Sequence, residues 1–317
     1  MKYADGIQEF VDRCNKAMPP DFYKLPLIDQ RELYFGLTRE FPYEVPAGVS
    51  ITDETVTYDG RELRLRVYHP DRLQGRGLLI YIRGGGFVVG SLATHNTVVA
   101  ELAVKSGLVA IAPDFRLAPE YAFPAGLEDC YGILYAAASD ERRFGIDANH
   151  IVICGDSSGA NMAVVISMMT RDRGGPSICG QGLISPVLDF TRWQHGGEDA
   201  PLLTGDEMAY YTACYCPPEL KQVSHPYVSP LVSGKFQGLP PAYIVGGELD
   251  SLLIDSQRYA EHLRENGTPV ELVVEPGLVH SAMRARGLSH QVADAWERFC
   301  RKAGQLAEVK EHSYAAK

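Results

Sequence analysis

Cysteine pairs at metal-ligand spacing are missing from this 317-residue sequence. Its seven cysteines (Cys14, Cys130, Cys154, Cys179, Cys214, Cys216 and Cys300) are scattered and odd in number, with no CxxC among them. That excludes a disulfide framework or a zinc knuckle and predicts reduced thiols, with no metal. Long apolar runs are missing too. Nothing approaches the roughly 20 consecutive apolar residues of a membrane-spanning helix, and the Met1–Asp5 start lacks the apolar stretch of a secretory signal. A cytoplasmic protein with no membrane partner is the expectation. Positive charge is short: 30 Lys and Arg stand against 40 Asp and Glu, a net charge of −10. That speaks against nucleic acid and anionic lipid as partners, since both attract basic surfaces. Repeats, low-complexity tracts and Gly/Ser linkers are also missing, so residues 1–317 read as a single domain.

Hydrophobic residues make up 45 % of the chain, enough for a sizeable core. Ile7, Phe10, Val11, Cys14 and Met18 share one helical face, and Pro19-Pro20 ends that helix. A second helix is predicted over Asp29–Phe41. Leu63, Leu65 and Val67 then alternate with Arg64, Arg66 and Tyr68, the period of a half-buried strand in an antiparallel edge hairpin. Short apolar runs follow at Leu78–Ile82, Leu108–Ala112, Ile151–Cys154, Gly182–Ile184, Ala242–Val245 and Leu272–Val274. Helical segments separate them: Thr94–Lys105, Leu127–Ala138, Ala160–Arg171, Asp255–Asn266 and Gln291–Leu306. Apolar strands alternating with helices predict an α/β fold, a mostly parallel sheet covered on both faces. From Phe190 to Gly238 the rhythm breaks, and Trp193, Tyr210, Tyr211 and Tyr215 gather there. Thr204 with Glu207 three residues on has the form of a capping box that starts a helix. This insertion, about 190–238, and the N-terminal segment, about 1–45, are expected to form a lid over the C-terminal edge of the sheet, where open α/β sheets bind ligands.

Gly155-Asp156-Ser157-Ser158-Gly159 is a G-x-S-x-G sequence between a predicted strand and a predicted helix. That context suits a sharp turn that lifts the Ser157 hydroxyl clear of the sheet. Ser158 rivals it as a nucleophile on composition alone. The motif's spacing puts Ser157 at the apex and gives Ser158 the position whose backbone N–H faces an oxyanion. A second glycine-rich stretch, Arg83-Gly84-Gly85-Gly86-Phe87, follows Leu78–Ile82. Its bare N–H groups suit an oxyanion hole. It lacks the Lys-Ser/Thr ending of a phosphate-binding loop and the G-x-G-x-x-G spacing of a dinucleotide site, so no cofactor is expected.

Together these stretches resemble the bacterial hormone-sensitive-lipase-like esterases. Arg83-Gly84-Gly85-Gly86-Phe87 is similar to that family's HGGGF loop. Asp114-Phe115-Arg116-Leu117-Ala118-Pro119-Glu120 with Phe123-Pro124-Ala125 is similar to its DYRLAPE…FPA run, and Gly155–Gly159 to its GDSAG turn. The resemblance implies an α/β-hydrolase fold with a mostly parallel eight-stranded sheet and a helical cap. It also implies a small ester as substrate, no cofactor and a tendency to form homodimers. It makes Asp250, in Gly247-Glu248-Leu249-Asp250, the acid of a catalytic triad, and His280, in Gly277-Leu278-Val279-His280, the base. Gly84 and Gly85 with Ser158 would form the oxyanion hole. Both triad partners follow apolar strands, and the order Ser…Asp…His is that of α/β-hydrolases. Glu248 and Asp255 are rival acids, with Glu248 read as loop support and Asp255 as a helix cap. His95, His225 and His290 are rival bases, His95 read as a brace of the glycine loop. The departure from the pattern is Arg83, where the family has histidine. Arg83 is expected either to brace the loop or to bind a substrate carboxylate, altering substrate preference. An amidase or deacetylase with the same triad, or a noncatalytic binding protein on this scaffold, are the alternative functions.

Overall fold

The computed structural model describes residues 2–308. The ends of the expected unit, Met1 and 309–317, lie outside the described residues. Eight strands form one sheet in the order β1-β2-β4-β3-β5-β6-β7-β8. They are β1 (Val49–Tyr58), β2 (Arg61–Pro70), β3 (Leu78–Ile82), β4 (Val109–Asp114), β5 (Ile151–Asp156), β6 (Gly180–Ile184), β7 (Ala242–Gly247) and β8 (Val270–Glu275). β1 and β2 form the edge hairpin, and β2 also runs antiparallel to β4. From β4 to β8 every pairing is parallel. The hairpin closes through Asp59-Gly60, both at positive φ (50° and 70°), the left-handed pair that a two-residue turn requires.

The helices are α1 (Ile7–Ala17), α2 (Leu27–Glu40), α3 (Asn96–Ser106), α4 (Ala125–Ser139), the single turn α5 (Glu141–Phe144), α6 (Ser158–Arg173), α7 (Gly205–Tyr215), α8 (Leu253–Glu265) and α9 (His290–Glu308). One core lies between the sheet and α4 and α6, holding Leu65, Ile80, Ile111, Ile153, Leu134 and Ile166. A second lies on the opposite face against α3 and α9, holding Leu79, Val152, Val99, Trp296 and Phe299. Burial on both faces is why the central strands read as continuous apolar runs.

The parallel strands place the ends of β3, β5, β7 and β8 along one edge. The register is level there: Ile82 pairs with Gly155, and Gly247 with Glu275. Ile7 and Phe10 of α1, Leu37 of α2 and Phe41 just after it pack on Leu278, Val279 and Ala282 beyond β8. Phe22 and Tyr211 pack on Val88 and Val89 of the loop after β3. Thr204 caps α7, its Oγ1 accepting the N–H of Glu207 at 3.1 Å. No helix of the described residues is long and apolar enough to cross a membrane.

Candidate active site

Ser157 stands between β5 and α6 with φ 53° and ψ −118°, outside the helical region. A non-glycine residue is strained there, and such strain collects at functional sites. Its N–H donates to the Ile184 carbonyl at 2.8 Å, and its carbonyl accepts from Asn161 at 3.0 Å. The flanking glycines permit the turn by close approach. A Cβ on Gly155 would lie 2.5 Å from the Gly159 carbonyl carbon, and one on Gly159 would lie 2.0 Å from the Ile82 oxygen. Any side chain at either position would push strand and helix apart.

Asp250 follows β7 and His280 follows β8. Their loops are clamped together: Leu249 N–H donates to the Leu278 carbonyl at 2.9 Å, and Gly277 N–H to Glu248 Oε2 at 2.7 Å. The loop support expected of Glu248 is this bond. His280 Nδ1 donates to Asp250 Oδ2 at 2.9 Å, and the Ser157 hydroxyl donates to His280 Nε2 at 3.1 Å. Leu252 N–H donates to Asp250 Oδ1 at 2.9 Å and fixes the carboxylate. Asp250 and His280 are both buried. Burial opposes both charged forms, but their mutual attraction outweighs it: His280 titrates above its ordinary value and Asp250 below.

The glycine loop is tied to the serine turn through Asp156. Gly84 N–H and the Tyr81 hydroxyl both donate to Asp156 Oδ1 at 2.9 Å, and His95 Nε2 lies 3.6 Å from Asp156 Oδ2. Burial opposes ionisation of this carboxyl, yet His95, Tyr81 and Gly84 bring it down to about 2. His95 therefore braces the loop through Asp156.

This corrects one expectation for the oxyanion hole. The N–H of Gly84 is already committed to a carboxylate, so it is not available to an oxyanion. Gly85 and Gly86 line the cavity beside Ser157, while Gly84 does not. Among the described residues, the amides of Gly85, Gly86 and Ser158 have no protein acceptor. The Ser158 hydroxyl turns to the loop instead, accepting the N–H of Phe87 at 3.4 Å.

For Arg83 the expectation left two roles open, and its contacts fit the first of them. Its side chain is buried beneath the loop and does not line the cavity. Nη1 donates to the Pro113 carbonyl at 3.0 Å and Nη2 to the Gly90 carbonyl at 3.4 Å, and the guanidinium lies 4.0 Å over the Phe115 ring. It braces the loop and does not reach substrate space.

The rival residues lie elsewhere. Asp255 does not cap α8. Its buried carboxylate accepts the N–H groups of Leu188 and Asp189 and pairs with Arg192. His225 packs against Phe123 and Tyr227, and His290 is the exposed first residue of α9.

A cavity of about 250 Å³ opens beside Ser157 and His280. Residues of α1, α2 and α7 form much of its wall, including Phe10, Cys14, Tyr34, Leu37, Met208 and Tyr211. A second space of about 40 Å³ lies behind the serine, against Tyr81, His95, Ser185 and Met283. Two polar wall residues escaped the sequence analysis as site residues. Glu207 is buried, and desolvation pushes its carboxyl up to about 7 against bonds from Tyr211 and Thr204. Arg284 lines both spaces. Arg284 lies in no motif and Glu207 only in the capping box of α7, and the fold alone brings both to the wall of the Ser157 cavity.

Residues 79–284 match a family model described as the alpha/beta hydrolase fold. The chain belongs to this α/β-hydrolase family, the one its motifs resemble. Carboxylesterase NlhH of Mycobacterium tuberculosis is 35 % identical over 251 residues, covering 75 % of this chain and 77 % of that protein. An arylesterase of Saccharolobus solfataricus is 27 % identical over 296 residues, covering 90 % and 94 %. Among solved structures, the hyperthermophilic esterase of the archaeon Pyrobaculum calidifontis superposes with a TM-score of 0.87 at 28 % identity, covering 98 % of this chain and all of that one.

Proposed function

We propose that this α/β-hydrolase cleaves small carboxylic esters through an acyl-enzyme on Ser157. The observation that carries this reading is the unbroken chain from Ser157 Oγ through His280 to Asp250, at 3.1 Å and 2.9 Å. A serine hydroxyl is a weak nucleophile until a base removes its proton. His280 Nε2 takes that proton as Oγ attacks the ester carbonyl carbon. Asp250 holds the ring in the tautomer with Nδ1 protonated and stabilises the imidazolium. The new negative charge on the carbonyl oxygen faces the unpartnered amides of Gly85, Gly86 and Ser158. The carbon–alkoxide bond breaks, the alkoxide takes the proton from His280, and the alcohol leaves. Water then attacks the acyl-serine with His280 again as base, and the acid departs.

The esterase names of the relatives support an ester as substrate. The N-terminal helices and the 190–238 insertion act as the cap, since their residues wall the cavity. The cavity's apolar wall of Phe10, Leu37 and Met208 suits a short acyl chain.

The test is a set of p-nitrophenyl acetate, butyrate and octanoate with one anilide, assayed on wild type and Ser157→Ala. Serine-dependent turnover of the shorter esters is expected. Turnover of the anilide without the esters would make the enzyme an amidase. No serine-dependent turnover of any substrate would overturn the reading.

A further inference from the structure

Arg284 stands in the 3-10 turn Ala282–Ala285, four residues beyond His280. It lines both the large cavity and the smaller space, and Ser157 and His280 line both as well. Its one side-chain hydrogen bond runs from Nη2 to the Tyr34 hydroxyl at 2.9 Å, and its Cζ lies 5.0 Å from the Tyr34 ring centroid. Among the described residues no carboxylate lies within ion-pair distance of it. Arg286, two residues on, shows the contrast: it grips Glu101 with Nη2 at 2.7 Å.

The other acids of the cavity are otherwise engaged. Asp156 is held by Tyr81, Gly84 and His95. Glu207 is bonded by Tyr211 and, with its carboxyl raised to about 7 by burial, carries only part of a charge at neutral pH. A guanidinium offers five N–H donors in a planar fork that matches a carboxylate. Four of the five on Arg284 have no protein acceptor. A partly buried cation that feels Asp156 only from beyond ion-pair distance, in the wall of the cavity that holds Ser157, is a site for an anion that arrives with the substrate.

We infer that Arg284, steadied by Tyr34, is a specificity-determining residue that favours esters carrying a carboxylate within a few bonds of the scissile carbonyl. This rests on the ester-hydrolase reading above. The carboxylate can sit on either side of the ester, as in a half-ester of a dicarboxylic acid or an acylated hydroxy acid. Both place the same group against the same fork.

The experiment separates these cases by pH-stat kinetics. Monoethyl glutarate carries the anion on the acyl side and 3-acetoxypropanoate on the alcohol side, with ethyl butyrate and propyl acetate as their neutral counterparts. The quantity read is the ratio of kcat/KM for each anionic ester to its neutral counterpart. In Arg284→Leu at least one ratio falls by about tenfold to a hundredfold, chiefly through KM, the loss expected for a charge-assisted pair. Arg284→Lys recovers part of it, because the charge returns without the fork. The pair whose ratio falls identifies the side that carries the carboxylate. Ratios that stay within twofold in both pairs would overturn the inference. Because both members of a pair use the same triad, a general loss from disturbing the His280 turn leaves the ratios unchanged and counts against a specificity role. Failure of wild type to hydrolyse any of the four esters would instead overturn the ester-hydrolase reading itself.

Discussion

Gly84 gives its amide proton to Asp156 at 2.9 Å, and that bond fastens the glycine loop to the turn bearing Ser157. The glycine loop follows β3, while Ser157 and Ser158 follow β5. Their separation is held by a carboxylate beside the serine and by the register of two paired strands.

Asp156→Ala should therefore loosen the loop and leave the Tyr81 hydroxyl and the Gly84 amide without a partner. Each unsatisfied buried group costs about 1–3 kcal/mol. Thermal unfolding should show a lower midpoint, and steady-state kinetics a fall mainly in kcat. An unchanged kcat would show that the loop holds its position without this bond.

Arg83→His should lower stability by on the order of 2 kcal/mol, since it removes charge-assisted bonds to Pro113 and Gly90. Substrate ranking should persist, because Arg83 does not line the cavity. Denaturant titration and a panel of acyl-chain lengths check both halves. A reordered panel would return Arg83 to the substrate.

His280 must be neutral to take the serine proton. Its attraction to Asp250 outweighs burial and raises its value above the usual 6.5. The acid limb of kcat/KM against pH should accordingly lie above 6.5. Asp250→Asn should move that limb to lower pH and cut kcat by several orders of magnitude, about 10⁴-fold in the best-studied triad. A limb that stays in place would mean that another group titrates.

Glu207 keeps its proton in the folded state up to about pH 7, against the ordinary glutamate value of 4.5. As pH rises between those values, the unfolded chain loses the proton before the folded one, so stability falls across that window. Glu207→Gln should remove this slope and leave the variant more stable at pH 8 by on the order of 2–3 kcal/mol. Melting temperatures at pH 5 and pH 8 measure it. Equal slopes in both proteins would contradict the burial account.

Much of this was legible in the sequence because it is local. The strand Leu78–Ile82 was readable to the residue, since burial on both faces makes it uniformly apolar. Thr204 and Glu207 announced α7 because a capping box lies within four residues. The sharp turn at Ser157 was legible because glycines must flank so tight a turn. The errors came where a side chain's partner lies far along the chain. Gly84 and Gly85 are adjacent and chemically alike, and only the Asp156 carboxylate 72 residues away uses the first one's amide. Asp255 has the position of a helix cap, yet it serves the Leu188 and Asp189 amides after β6. Arg284 carries no motif, and only the packing of α1 and α2 on the His280 loop brings Tyr34 to it.

Acylation should fall on Ser157 and on no other residue. Fluorophosphonate labelling followed by peptide mass spectrometry tests it most directly. One adduct per chain on Ser157 is predicted, rising in step with the loss of p-nitrophenyl acetate turnover. An adduct on Ser158 or elsewhere that tracks the lost activity, or full inhibition with Ser157 unmodified, would contradict it.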